Sequence, residues 1–107
     1  MSRTKALSIP REVKRAVADR DSCEGWACCV LCGRPAPTEN PLAYSCAHYI
    51  GRAQGGLGVV ENIVTLCPDC HRAYDNSPQR AEIKRVLYSY LRTMHPDIDE
   101  TKLVYRK

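Results

Sequence analysis

A chain of 107 residues is one domain's worth of sequence, and it buries too small a fraction of its surface to rest on an apolar core alone, so a disulfide, metal or partner staple is expected. Seven cysteines, an odd number, argue against a closed set of disulfides, and no apolar run reaches the length that crosses a bilayer. The formal net charge is +4, and the opening M-S-R-T-K-A-L-S-I-P lacks the apolar core of a secretion signal, so a reducing cytoplasm is the expected setting.

Met1 to Lys5 are polar and basic and read as a frayed arm. Ser8 is placed to cap a helix with Pro10 in its first turn, where a missing N–H costs nothing. Val13, Ala16 and Val17 recur at helical spacing with Arg11, Lys14 and Arg15 on other faces, which predicts a short amphipathic helix ending near Asp19 to Asp21. Its basic face is a phosphate contact or, more commonly for such charges, a solvated one. From Ser22 to Pro41 the sequence is dominated by Cys, Gly and Pro, with little periodicity, the composition of a metal-binding knuckle. Cys29-Val30-Leu31-Cys32, followed by Gly33, has the spacing at which two thiolates clasp one metal, and Cys23 and Cys28 are left as spare thiols.

Tyr44 to Ile50 suits a strand, and Gly51, Gly55, Gly56 and Gly58 allow the backbone to turn. The β-branched run Ile63 to Leu66 suits a second strand, and the two make a hairpin with a wide loop. Cys67-Pro68-Asp69-Cys70-His71 opens a short helix, with Pro68 at its first position and Asp69 at the positive end of its dipole. Ser77-Pro78 ends that helix and, with Ser77 as cap, begins another. Its stripe of Ile83, Val86, Leu87, Tyr90, Leu91 and Met94 follows the 3.6-residue period and stops before Pro96. The tail Leu103-Val104-Tyr105 adds a short strand or packs back.

Cys29, Cys32, Cys67 and Cys70 form a doubled C-x-x-C, and four thiolates satisfy a tetrahedral Zn²⁺ with no position left open, so the predicted zinc is structural. Four bound thiolates and one Zn²⁺ would bring the formal charge to about +2, a balance compatible with nucleic acid. Chemistry must then come from other residues. The zinc bridge would fix His71, next to Cys70, relative to His48 on the first strand. His71 and Asp75, four apart on one helix, can face one site and make a half-shell for a divalent cation with open positions. His48, in Ala47-His48-Tyr49, can take a proton from water near neutral pH. Asn62 opens the second strand and is either a cation ligand through its side-chain oxygen or a partner that orients the imidazole. Singly, each is more often a hydrogen-bonded histidine, a turn asparagine or a solvated acid; their combination points to one site.

With His48, Asn62 and His71 set between Cys29-x-x-Cys32 and Cys67-x-x-Cys70, the sequence resembles the HNH endonucleases with a ββα-metal fold. It is most similar to the small HNH proteins carried by bacteriophages and prophages. The run His48, Arg52, Gly55-Gly56, then Glu61-Asn62-Ile63-Val64-Thr65-Leu66-Cys67 carries the likeness, and the N-terminal I-P-R-E-V-K-R-A-V-A-D-R-D shares it. The resemblance covers most of the chain. It implies a small α+β fold with a ββα-metal core, a four-cysteine structural zinc and flanking N- and C-terminal helices. Residues 1–107 would form one HNH nuclease domain, with arm and helix in 1–21, zinc knuckle and ββα core in 22–76, and C-terminal helix and tail in 77–107.

The resemblance also implies a metal-dependent DNA endonuclease or nickase whose catalytic residues are His48, Asn62 and His71. His48 would be the general base, His71 a ligand of a divalent cation (Mg²⁺ or Mn²⁺), and Asn62 a second ligand or the residue that holds His48. Arg52 would contact a substrate phosphate, and the products would carry a 5′ phosphate and a 3′ hydroxyl. Many members place an aspartate or histidine ligand just before the base, where this chain has Ala47; Asp75 is the expected replacement. DNA is the expected partner, met also by Arg80, Lys84, Arg85 and Arg92, with phage packaging proteins a further partner and no membrane. A monomer or weak dimer is expected, the C-terminal stripe being one available interface. The alternative is a zinc-stabilised DNA-binding module that has lost catalysis, which the departure at Ala47 allows. A thiol switch on Cys23, Cys28 or Cys46 has only spare cysteines behind it.

Overall fold

In the computed structural model, which describes residues 2–38, 40 and 43–106, Ser2 accepts a hydrogen bond from the Lys5 N–H (3.2 Å) and caps a short helix, α1 (Arg3–Leu7). The predicted frayed arm is therefore helical from Arg3 onward, because Leu7, its one large apolar residue, is buried and anchors it. Met1, and Pro41 at the end of the predicted knuckle, lie outside the described residues. Ser8 does not cap the next helix: its hydroxyl donates to the Thr4 carbonyl (2.8 Å) and closes α1. The following helix, α2 (Arg11–Arg20), starts after Pro10 without a side-chain cap and buries Val17 and Ala18.

A tight hairpin follows, β1 (Ser22–Cys23) and β2 (Trp26–Ala27), turning through Glu24 and Gly25 at φ 52° and 85°. Positive φ at both central residues matches the right-handed twist of the flanking strands. The chain then folds into the knuckle, where the Gly33 N–H donates to the Cys29 carbonyl (2.8 Å) and the Cys29 N–H to the Arg34 carbonyl (3.0 Å). One further bond, Val30 N–H to the Thr65 carbonyl (3.0 Å), ties the knuckle to the main hairpin.

That hairpin pairs β3 (Ser45–His48) with β4 (Ile63–Leu66) antiparallel, Ser45 opposite Leu66 and His48 opposite Ile63. All four residues of β4 are buried, because α2 packs against the strand and α3 (Pro68–Asn76) lies across β3 and β4. Pro68 occupies the first turn of α3, as its missing N–H permits. The result is a small α+β fold built on a ββα unit, β3–β4–α3, with α2 and α4 (Arg80–Met94) beside it. Helix α4 begins after Gln79 with no side-chain cap; Ser77 Oγ instead accepts from the Gln79 N–H (3.2 Å), holding the bend before the helix. Leu87 and Leu91 carry its buried seam, whereas Val86 and Met94 are 49% and 41% exposed, so the apolar stripe is wider than the face that packs.

The wide loop between β3 and β4 is immobilised from three sides. A Cβ on Gly56 would stand 1.6 Å from the Ile50 carbonyl oxygen, and one on Gly58 1.9 Å from that of Ser8, so these glycines serve close approach more than turning. The Gly58 N–H bonds the Ala6 carbonyl (3.0 Å), the Leu57 N–H the Leu103 carbonyl (2.8 Å), and the Tyr105 N–H the Gly55 carbonyl (2.7 Å). The tail thus packs back and pairs as a single bridge, Gly56 with Val104.

Beneath α2, a buried polar hub fixes the helix to β4. Arg20 pairs with Asp21 (2.7 Å), their side chains 8% and 0% exposed, and donates to the carbonyls of Val60 and Ile63 (2.9 and 2.6 Å). Asp21 in turn accepts from the Thr65 N–H (2.9 Å) and from the Tyr90 hydroxyl of α4. Removing one member of such a buried pair costs about 3 to 5 kcal/mol, since the other charge is left uncompensated.

Candidate active site and metal centre

Cys29 and Cys32 in the knuckle meet Cys67 and Cys70 at the start of α3, and their four sulfurs all lie within 4.8 Å of one another. The Cys32 and Cys67 sulfurs are 3.8 Å apart, which is the edge, about 3.8 Å, of a tetrahedron with Zn–S bonds of about 2.3 Å. Burial works against ionising Cys29, but backbone N–H groups of Cys32, Cys67 and Leu31 outweigh it and pull the thiol down to about 7. Cys70 is pushed up, first by burial and then by the crowding of Cys67, Cys29 and Cys32. The donor set therefore fits a thiolate-loving cation such as Zn²⁺, and four sulfurs close its shell. Cys23 and Cys28 stand outside this cluster, as the spacing predicted.

Beside the cluster, across the Cys70-His71 step, opens a polar cleft of about 400 Å³ lined by Ala47, His48, Arg52, His71, Asp75 and Arg80 among others. His48 ends β3, and its Nε2 lies 2.8 Å from the Leu7 carbonyl oxygen. A carbonyl can only accept, so Nε2 carries the proton and Nδ1 keeps its lone pair. Burial lowers the His48 pKa below the ordinary 6.5; the Leu7 carbonyl opposes this, and the nearby Arg52 and His71 add to the lowering. The imidazole is thus a neutral base at pH 7.

His71 projects from the second turn of α3. Its Nδ1 is 2.7 Å from Ser45 Oγ at the start of β3, and its Nε2 is 3.5 Å from the Asp75 carboxylate one turn on. With the serine oxygen accepting from Nδ1–H, the Nε2 lone pair lies beside the carboxylate, a nitrogen and an oxygen donor on one wall of an open cleft. Arg52, exposed in a single turn of 3₁₀ helix (Arg52–Gln54), brings positive charge to the rim.

Asn62 is placed differently from its predicted ligand role. It is 0% exposed, in the turn just before β4, and its amide accepts from the Ile50 N–H (2.8 Å) and donates to the carbonyls of Ile50 and Leu57 (3.1 and 2.9 Å). A side chain so committed offers no oxygen to a cation in the cleft, nor does it touch the His48 ring. It clamps the main chain two residues beyond His48 to the glycine loop. Three participants escaped the sequence reading as site members: the Leu7 carbonyl, Ser45 and Arg80. A main-chain acceptor leaves no mark in residue identity; Ser45 reaches His71 only through the packing of β3 against α3, and Arg80 reaches the cleft only through the bend into α4.

A two-stranded hairpin and helix, a four-sulfur centre and an adjoining histidine-carboxylate cleft define a class of small ββα metal-binding protein. Residues 29–77, which contain both cysteine pairs, His48, Asn62, His71 and Asp75, match the model of the HNH endonuclease family. The chain is 36% identical over 64 residues to the type IV methyl-directed restriction enzyme EcoKMcrA of Escherichia coli (strain K12), covering 56% of this chain and 23% of that enzyme. It is 37% identical over 38 residues to anaredoxin of Nostoc sp., covering 36% of this chain and 50% of that protein. The chain thus spans about a quarter and a half of these two relatives. The family match over residues 29–77 and the cysteine cluster within it support a likeness to the HNH family. Among the described residues no helix is long and apolar enough to cross a membrane.

Proposed function

We propose that the protein is a metal-dependent DNA endonuclease or nickase of the HNH type, of the small kind carried by phages and prophages, acting in the cytoplasm. The observation that carries this reading is the meeting, in one cleft, of a neutral histidine with a fixed tautomer and a second histidine paired with a carboxylate. A divalent cation, Mg²⁺ or Mn²⁺, bound there would neutralise charge building on the phosphate and on the leaving 3′ oxygen. His71 and Asp75 are the residues that would hold it, the carboxylate standing in for the ligand that Ala47 does not supply. His48 takes the proton of the attacking water on Nδ1, while Nε2 keeps its bond to the Leu7 carbonyl and so orients the ring throughout. Arg52 contacts a phosphate of the strand, and Asn62 acts as a positioning residue by holding the loop that carries Arg52. The four-cysteine zinc is structural. The products carry a 5′ phosphate and a 3′ hydroxyl, and DNA and phage packaging proteins are the partners.

Supercoiled plasmid incubated with the protein and Mg²⁺ or Mn²⁺ should be converted to nicked circles, since one compact site makes one cut per encounter in a monomer or weak dimer. The buried methyl of Ala47 supports one competing reading, a DNA-binding module without catalysis, and binding without any conversion would establish that instead. Asp75→Ala should lower the cleavage rate by about 10-fold or more with an unchanged melting curve, in line with the loss of a group that sets metal affinity. Unaltered cleavage at saturating Mg²⁺ would remove Asp75 from the site.

A further inference from the structure

We propose that Arg80 is a further catalytic residue of this cleft, a preformed phosphate ligand delivered from the start of α4; the proposal rests on the nuclease reading above. Arg80 follows the Ser77-Pro78 bend, which turns its side chain back over α3. Its guanidinium carbon lies 4.4 Å from the centre of the Tyr74 ring, and Nη1 donates to the Tyr74 carbonyl (2.7 Å). Tyr74 is itself fixed: it is buried, and its hydroxyl donates to the Tyr49 carbonyl (2.6 Å) next to His48. The platform under Arg80 is therefore part of the core.

This hold uses one face and one nitrogen of the guanidinium. Among the described residues, Nη2 and Nε have no hydrogen-bond partner and no carboxylate lies within ion-pair distance of Arg80. Nη2 sits 3.8 Å from the point where Gly51 would carry a Cβ, on the cleft wall between His48 and Arg52. Other arginines are committed elsewhere: Arg20 is spent on Asp21 and two carbonyls, Arg72 on Asp69. Arg80 instead presents free donors from a rigid seat, in the cleft that His48, His71 and Arg52 also line. Two donors of a planar guanidinium suit the paired non-bridging oxygens of a phosphodiester, and ordering the side chain beforehand removes the entropy cost of fixing it on binding.

The competing role is structural, since Nη1 also satisfies a carbonyl in the last turn of α3, where a cation meets the negative end of the dipole. Two readouts separate them: single-turnover cleavage at saturating protein, and the salt dependence of binding to a short duplex without added divalent cation. Arg80→Gln is expected to lower the cleavage rate by about 10²- to 10³-fold, the scale of losing one charge-stabilising donor, and the slope of log K against log salt by about 0.9. Arg80→Lys should restore the slope but only part of the rate. Arg72→Gln, whose guanidinium is spent on Asp69 on the exposed side of α3, should leave the rate near wild type. An Arg80→Gln protein that melts earlier yet keeps both rate and slope would overturn the proposal and leave Arg80 a helix cap. If the wild type binds DNA but cleaves none, the nuclease reading fails, and the slope alone decides whether Arg80 meets phosphate. A wild type that does not bind DNA overturns both.

Discussion

His48→Ala is expected to lower plasmid cleavage by about 10²- to 10⁴-fold, the contribution of a positioned general base, while duplex binding persists. The effect should be this large because, among the described residues, the other histidine and the carboxylate of the cleft are engaged with each other: His71 lies against Ser45 and Asp75. The pH profile gives the same assignment independently. Only the neutral ring can accept a proton, so the rate should rise with pH and level off; because burial lowers the pKa, the rise should be centred below the ordinary 6.5. For stability the sign follows from linkage. Above 6.5 neither folded nor unfolded chain protonates His48, and as the pH falls the unfolded chain binds the proton first. Stability from this residue is therefore lost from 6.5 down through the lower folded pKa. Equal cleavage by His48→Ala, or an acid limb centred above 6.5, would discard this base.

Stripping the four-cysteine centre is expected to unfold the protein. A structural zinc bound by thiolates contributes about 10 to 16 kcal/mol of apparent binding energy in small metal-dependent folds, comparable to or larger than the whole stability of about 5 to 15 kcal/mol typical of a domain. Here the centre joins the knuckle to the first turn of α3, a junction otherwise crossed by the exposed Arg34–Asp69 ion pair (3.6 Å). Purified protein should contain about one zinc per chain. Cys67→Ser should lose it together with the cooperative melting transition, whereas Cys28→Ser, outside the cluster, should keep both. A melting transition that survives chelation with no metal bound would refute a structural zinc.

Residue type and spacing made the metal centre and the main hairpin legible. Paired thiols need few residues between them, and the β-branched run Ile63 to Leu66 forms β4 with its predicted limits. The helical pairing of His71 with Asp75 was legible for the same reason, since four residues on a helix make neighbours. What escaped the sequence was contact across the fold. Helix α1 depends on Leu7 finding a core that the local sequence does not announce, and Ser8, free to bond forward or backward, turned back to Thr4. The partners of Asn62 were not legible either, because its residue type suits a ligand, a turn or a clamp equally, and the carbonyls of Ile50 and Leu57 that it bonds lie 12 and 5 residues away.

The glycine loop has a consequence for how the cleft fails. Glycine surrenders more chain freedom on folding than any other residue, so Gly55, Gly56 and Gly58 have no side chains to offset that loss and depend on borrowed contacts. Those contacts come from Ala6 on one side and from Leu103 and the Tyr105 amide on the other. Loosening either remote segment would release the loop, and with it the Arg52 rim and the Asn62 clamp, before the strands separate. In hydrogen exchange such a chain would show the cleft wall opening as a local event, well below the energy of global unfolding.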